Sequence, residues 1–371
     1  MARQIRRAAG FAASLAITLM ATAASGQQVI RSDTYLTHKS VGPGLAGSDV
    51  RILLHRVTIA GVQPRKGTVL FVHGGGTPGT VSFDLAHADY SWMASVAAAG
   101  FDTYSIDFVG YGGSTRPAIM SDPCNLARSQ QPDPAACPNP PKPPATTLAS
   151  DVEDLNFVVD TLRSRNKGQP VALVGWSLGG PRAGVFAARH PDKVSRLVLL
   201  APAYRRNGAA SRGANGPQME PRAYGTQNRA EFLGGWGGQV GCPDQRDPRA
   251  AEAAWTALIA TDPEGARLNP PARRAPFLDY LNDFTRREAT MLTTPTLMIV
   301  GPFDKQVPAI AVKELHEDMA GPSVFVDLGC SGHQAMWEKN RHLLFRATVD
   351  WLSKGQVEGL SRGEARLGYP S

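Results

Sequence analysis

Beyond residue 26 the 371-residue chain has no apolar run long enough to span a bilayer as a helix. It has no C-x-x-C pair and no His/Cys cluster at zinc spacing, so no structural metal is indicated. No block of Lys and Arg interleaved with aromatics occurs, which makes nucleic acid a poor partner. There is no internal repeat. Charged residues make up only 19% of the chain against 42% hydrophobic, the balance of a globular protein with a large core. The length fits two domains or one elaborated domain with a cap.

The N-terminus reads as a processing segment. Arg3, Arg6 and Arg7 precede an apolar run from Ala8 to about Ala24, and Ala24-Ser25-Gly26 offers small residues for cleavage. A membrane anchor is the rival reading, but the run is short, Ala-rich and ends in a cleavable pattern. The expectation is a signal peptide over residues 1–26 and an exported mature chain, periplasmic or secreted, with no membrane span. Cleavage would reduce the formal charge from +7 to +4, a mildly basic balance. The four cysteines are an even set that can pair in an oxidising compartment. Of the three connectivities, Cys124–Cys137 with Cys242–Cys330 is the expected one.

What is present is an alternation of strand and helix patterns. Strands are expected at Val50–Ile59, Thr68–Val72, Phe101–Phe108, Val171–Val174, Val194–Ala201, Thr294–Val300 and Ser323–Leu328. Helices are expected at Ala88–Ala99, Thr146–Arg165, from Pro181, at Pro308–Met319 and at Ala335–Leu352. Gln27–Asp49 and Gly355–Ser371 carry little pattern. Two stretches interrupt the alternation. Residues 115–145 are Pro-rich, with nine prolines between Pro117 and Pro144, and can be neither helix nor central strand. Residues 203–290 begin rich in Gly and Arg and continue with helical patches at Pro248–Thr261 and Pro276–Met291. They read as a cap. The alternation predicts a mostly parallel sheet covered by helices on both faces, with ligands bound at the carboxyl ends of its strands.

The residues that carry chemistry fall at those ends. Gly175-Trp-Ser-Leu-Gly179 lies between an apolar strand and a helix, the context in which a G-x-S-x-G pattern forms a nucleophile elbow. A serine needs a base to remove its proton and a third group to orient that base. His333, on a loop after the last predicted strand, is the candidate base. Asp304, after Val300-Gly-Pro-Phe, is the candidate acid, although a turn or capping role for it is also open. The other histidines, His38, His55, His87, His190, His316 and His342, read as ordinary, and His73 as a residue shaping its turn. Developing negative charge on a tetrahedral intermediate needs donors. The amide of Leu178 and an amide of the His73-Gly-Gly-Gly76 loop, Gly75 in particular, are the candidates. No Gly-Lys-[Ser/Thr] follows that loop, which argues against a phosphate cradle. Trp176, and Trp236 or Phe277 in the cap, are candidate pocket residues.

Together these motifs resemble the α/β-hydrolase superfamily, of a serine esterase/lipase-like, secreted bacterial type. The resemblance covers roughly residues 50–202 and 294–353. It is carried by the elbow, the His73-Gly turn, the Asp107-x-x-Gly-Tyr-Gly-x-Ser114 turn, Gly301-x-x-Asp304 and Gly332-His333. It implies an eight-stranded type of sheet with an inserted cap, and a triad of Ser177, Asp304 and His333. The implied activity is cleavage of a small carboxylic ester, with neither metal nor organic cofactor. The serine at the elbow separates the chain from the dehalogenases and epoxide hydrolases of that family, which place an aspartate there. A C–C hydrolase, lactonase, peptidase or perhydrolase would use the same triad. A silent binding protein on the same fold is the alternative from another class.

Overall fold

The computed structural model describes residues 28–209 and 220–369. The expected signal peptide lies outside the described residues. No helix among the described residues is long and apolar enough to cross a membrane.

The core is built on uninterrupted apolar runs. β1 (Val29–Lys39) and β2 (Asp49–Ile59) form an antiparallel hairpin, followed by β3 (Thr68–Val72), β4 (Asp102–Asp107), β5 (Val171–Trp176) and β6 (Val194–Leu200). Every residue of β3 and β5 is buried, as expected for strands covered on both faces. A separate two-stranded pair, β7 (Tyr224–Asn228) and β8 (Ala272–Pro276), lies within the expected cap region. β9 (Thr296–Val300), β10 (Ser323–Leu328) and β11 (Gly363–Leu367) complete the main sheet. Its order is β1-β2-β4-β3-β5-β6-β9-β10-β11, and every pairing from β4 onward is parallel. β5 therefore lies at the centre.

Two sequence expectations are corrected at the sheet edges. The stretch expected to carry little pattern, Gln27–Asp49, contributes β1 over Val29–Lys39, and the unpatterned tail contributes β11, which extends the eight-stranded type of sheet to nine. Both pair on one side only and face water along much of their length, so neither needs an apolar alternation. Within residues 203–290 a helix over Pro276–Met291 is not formed. The chain leaves β8 at Pro276 and becomes helical only at Arg286–Met291, where Thr285 and Glu288 make a capping box. The expected helix at Pro248–Thr261 is present as Pro248–Ala260, opened by the Asp247 side chain. Residues 115–145 hold only short 3-10 turns before Leu148–Arg165 begins, as their prolines require. Cysteines pair as 124–137 and 242–330.

The β1–β2 hairpin is pinned to the body by a polar cluster. His55 places Nδ1 2.6 Å from Asp33 and Nε2 2.9 Å from Asp84, and Asp84 also accepts from Arg31 (2.6 Å) and Ser91 (2.6 Å). Burial alone would lower the pKa of His55, but the bonds to Asp84 and Asp33 outweigh it and leave the pKa raised. A histidine with a raised folded-state pKa contributes stability that is complete below its unfolded pKa and is lost as pH rises through the folded value. His55→Gln is therefore expected to cost about 1–3 kcal/mol below roughly pH 6, with the gap narrowing at alkaline pH. Urea unfolding of both proteins across that range checks it, and a gap that does not change with pH would exclude the proton linkage.

Candidate active site

β5 ends at Trp176, and the helix Gly179–Arg189 begins three residues later. The turn between them forces Ser177 to φ +56°, a left-handed conformation that L side chains avoid. Gly179 makes this possible, because a Cβ there would collide with the Val72 carbonyl of β3. The hydroxyl is thereby lifted above the central strand, at the start of a helix whose N-terminus favours negative charge.

Ser177 Oγ lies 2.9 Å from His333 Nε2, and His333 Nδ1 lies 2.7 Å from Asp304 Oδ2. With the imidazole neutral, Nδ1–H donates to Asp304 and Nε2 accepts the serine proton. The structure thus brings together all three residues singled out in the sequence. The two readings of Asp304 turn out to be compatible. Its Oδ2 holds the imidazole, while Oδ1 accepts from the amides of Gln306 and Val307, both at 2.8 Å, and fixes the turn.

Gly75 and Leu178 are direct neighbours, since a Cβ on Gly75 would stand 3.0 Å from Leu178 Cδ1. Both line a cavity of about 470 Å³ together with Ser177 and His333. Neither amide donates to another group among the described residues, so both are free for a ligand oxygen. His73 is fully buried. Burial and the nearby Arg182 cation hold its pKa well below the ordinary value. It stays neutral, with Nδ1–H donating to the Gly74 carbonyl (2.7 Å) and Nε2 accepting from the Phe108 amide (3.1 Å). It shapes the turn, as its sequence position suggested. Asp107 does the same for the neighbouring turn by accepting from Gly113 and Thr80, while burial pushes its carboxyl up to about 6.

Sequence reasoning missed the residues that hold these loops. Arg182, fully buried, donates to the His73 carbonyl (2.8 Å) and the Gly74 carbonyl (3.3 Å), and pairs with Asp151 at 2.7 Å. Glu338, also fully buried, accepts from the amide of Gly332 (2.7 Å), from Trp236 Nε1 (2.8 Å) and from Gln245 (3.0 Å). Gln239 accepts from the amides of Lys305 (3.1 Å) and His333 (3.2 Å), joining the acid and base loops. The Cys242–Cys330 bridge, which the sequence did suggest, ties the same region to the His333 loop. Arg182, Glu338 and Gln239 carry no local motif, because each acts on side chains or backbone groups that the fold brings near, such as the Glu338–Trp236 pair 102 residues apart.

Of the candidate pocket residues, Trp176 and Trp236 line the cavity, and Phe277 lines an adjoining one. Trp236 also anchors Glu338, so it is both wall and structural partner. The cavity wall is completed by Gln227, Phe232, Arg273 and Tyr280 from residues 203–290. A cavity of similar volume, about 450 Å³, lies at the opposite ends of the strands near Lys66, Asp102 and Arg196, away from the serine.

A family profile described as the alpha/beta hydrolase fold matches residues 67–340. The chain is 29% identical over 199 residues to the biotin biosynthesis bifunctional protein BioHC of Teredinibacter turnerae, covering 49% of this chain and 33% of that protein. It therefore spans about a third of that relative's length. A thermophilic esterase from Thermogutta terrifontis superposes with a TM-score of 0.52 at 19% identity, over 87% of this chain and 100% of that one. A meta-cleavage product hydrolase from Pseudomonas fluorescens superposes with a TM-score of 0.53 at 16% identity, over 83% and 96%. At those identities the likeness is one of fold, and it agrees with the mostly parallel sheet described above. With the profile spanning most of its length, this chain belongs to the α/β-hydrolase fold family.

Proposed function

We propose that this protein is an exported serine hydrolase that cleaves a carboxylic ester. The observation that carries this reading is the continuous relay from Ser177 Oγ through His333 to Asp304, at 2.9 and 2.7 Å. His333 Nε2 takes the proton as Ser177 Oγ attacks the carbonyl carbon, and Asp304 stabilises the imidazolium that forms. The amides of Gly75 and Leu178 donate to the oxyanion. Collapse breaks the C–O bond to the leaving alcohol, which takes the proton from His333. Water then attacks the acyl group with His333 again as base, releasing the acid and restoring the serine. No metal or organic cofactor takes part. Residues 203–290 act as the cap that shapes the pocket. Two disulfides, together with the cleavable N-terminal pattern, support export.

Ester-cleaving relatives support the choice of bond. They include a region of a pimeloyl-[acyl-carrier protein] methyl ester esterase from Chromobacterium violaceum, 58% identical over 36 residues, 10% of this chain and 14% of that protein. The test is turnover of an aryl ester, a lactone, an amide and a β-diketone by the purified mature protein. The aryl ester is expected to be cleaved at least about tenfold faster in kcat/KM than the others. Preferential cleavage of the β-diketone would replace ester hydrolysis by C–C hydrolysis on the same residues.

A further inference from the structure

Arg273 stands on β8 between two cavities that flank the Gly75 loop, and it lines both. Its Nε (2.9 Å) and Nη2 both donate to Gln227 Oε1, and Nη1 donates to Thr77 Oγ1 at 3.0 Å. The guanidinium lies against Gly76, which at φ +76° has no Cβ to obstruct it. Phe232 covers it at 5.6 Å from its ring centroid. It is thus held in one place by neutral partners.

What it lacks is an acid. No carboxylate among the described residues forms an ion pair with Arg273, whereas the buried Arg182 and Arg274 at this end of the sheet each have one: Arg182 has Asp151, and Arg274 has Asp262 and Glu264. The residues outside the description contain no Asp or Glu. Neither cavity is lined by an acidic residue among those described, while Lys305 and Arg222 add further positive charge to their walls. After its bonds to Gln227 and Thr77, Arg273 keeps one N–H on Nη1 and one on Nη2 without an acceptor among the described residues. Desolvation lowers its pKa to about 10, which leaves it charged at neutral pH. A fixed, partly buried cation lining the same cavity as Ser177, with unused donors, is an incomplete pair, and charge-assisted bonds of this kind are the strong ones.

We infer that Arg273 recognises a carboxylate on the substrate, so that the ester cleaved at Ser177 carries a second, anionic group. This rests on the hydrolase reading above and names its substrate class. The anion is held across the Gly75 loop from the reacting carbonyl, which restricts how the ester can lie against Ser177 and favours half-esters of dicarboxylic acids over neutral esters of the same length.

The test compares mono-p-nitrophenyl glutarate with the neutral p-nitrophenyl pentanoate for the wild type, Arg273→Gln and Arg273→Lys. The wild type is expected to prefer the glutarate ester by about tenfold or more in kcat/KM, mainly through KM. Arg273→Gln is expected to lose at least about tenfold more on the glutarate ester than on the pentanoate ester, and Arg273→Lys to recover part of it. A wild type without this preference, or an Arg273→Gln variant that slows both esters equally, overturns the proposal. A second readout does not depend on turnover. Calorimetry of glutarate with Ser177→Ala is expected to show binding that Ser177→Ala/Arg273→Gln loses by about tenfold or more, with inorganic phosphate bound more weakly. Equal binding by the two variants, or phosphate bound as well as glutarate, overturns it. Full turnover by Ser177→Ala would instead refute the serine chemistry while leaving the glutarate comparison able to judge Arg273.

Discussion

Alanine at Ser177 or at His333 is expected to lower kcat for an aryl ester by about 10⁴-fold or more, and the double variant to be no slower than the worse single one. The reason lies in the 2.9 Å contact between Ser177 Oγ and His333 Nε2. The imidazole has nothing to deprotonate once the hydroxyl is gone, and the hydroxyl is a poor nucleophile once the imidazole is gone. Groups that act as one unit fail together, so multiplicative losses would mean that they act separately. What remains is expected to come from the Gly75 and Leu178 amides and from binding, so KM should change far less than kcat. Steady-state kinetics with circular dichroism as a folding control decide the matter.

The largest expected effect on stability comes from Arg182. This side chain is only about 1% exposed and holds Asp151, the carbonyls of His73 and Gly74, and the face of Phe108 at 4.4 Å. Arg182→Met leaves Asp151 buried without a partner cation and is expected to cost about 3–5 kcal/mol, read by urea unfolding. Arg182→Met/Asp151→Leu removes both charges and is expected to regain most of that stability. The double variant should nevertheless stay slow, because the two loop carbonyls have lost the donor that fixes the Gly75 amide. Recovery of both stability and kcat would show that the loop needs no such support.

The sequence made the centre of this protein legible and its margins opaque, for physical reasons. β3 and β5 are buried on both faces, so their apolar runs announce themselves, and the elbow glycine is dictated by a collision with Val72. Ser177, Asp304 and His333, which the structure brings together, could be singled out because the proposed chemistry calls for those residue types at the ends of strands. β1 and β11 escaped because edge strands face water and need no alternation. The β7–β8 pair escaped because Tyr-Gly-Thr-Gln-Asn and Ala-Arg-Arg-Ala-Pro carry no strand pattern, yet its second strand delivers Arg273 to the cavity. Arg182, Gln239 and Glu338 were invisible for another reason. A buried polar or charged residue is recognisable only when its partners are known, and most of their partners lie on distant parts of the chain.

The most direct measurement is covalent labelling of the purified protein with a fluorophosphonate, followed by mass spectrometry of the labelled peptide. A nucleophilic Ser177 predicts a single adduct on that residue, formed in step with loss of esterase activity, absent in Ser177→Ala and strongly slowed in His333→Ala. An adduct on another residue, or full esterase activity with Ser177 unlabelled, would contradict the serine mechanism.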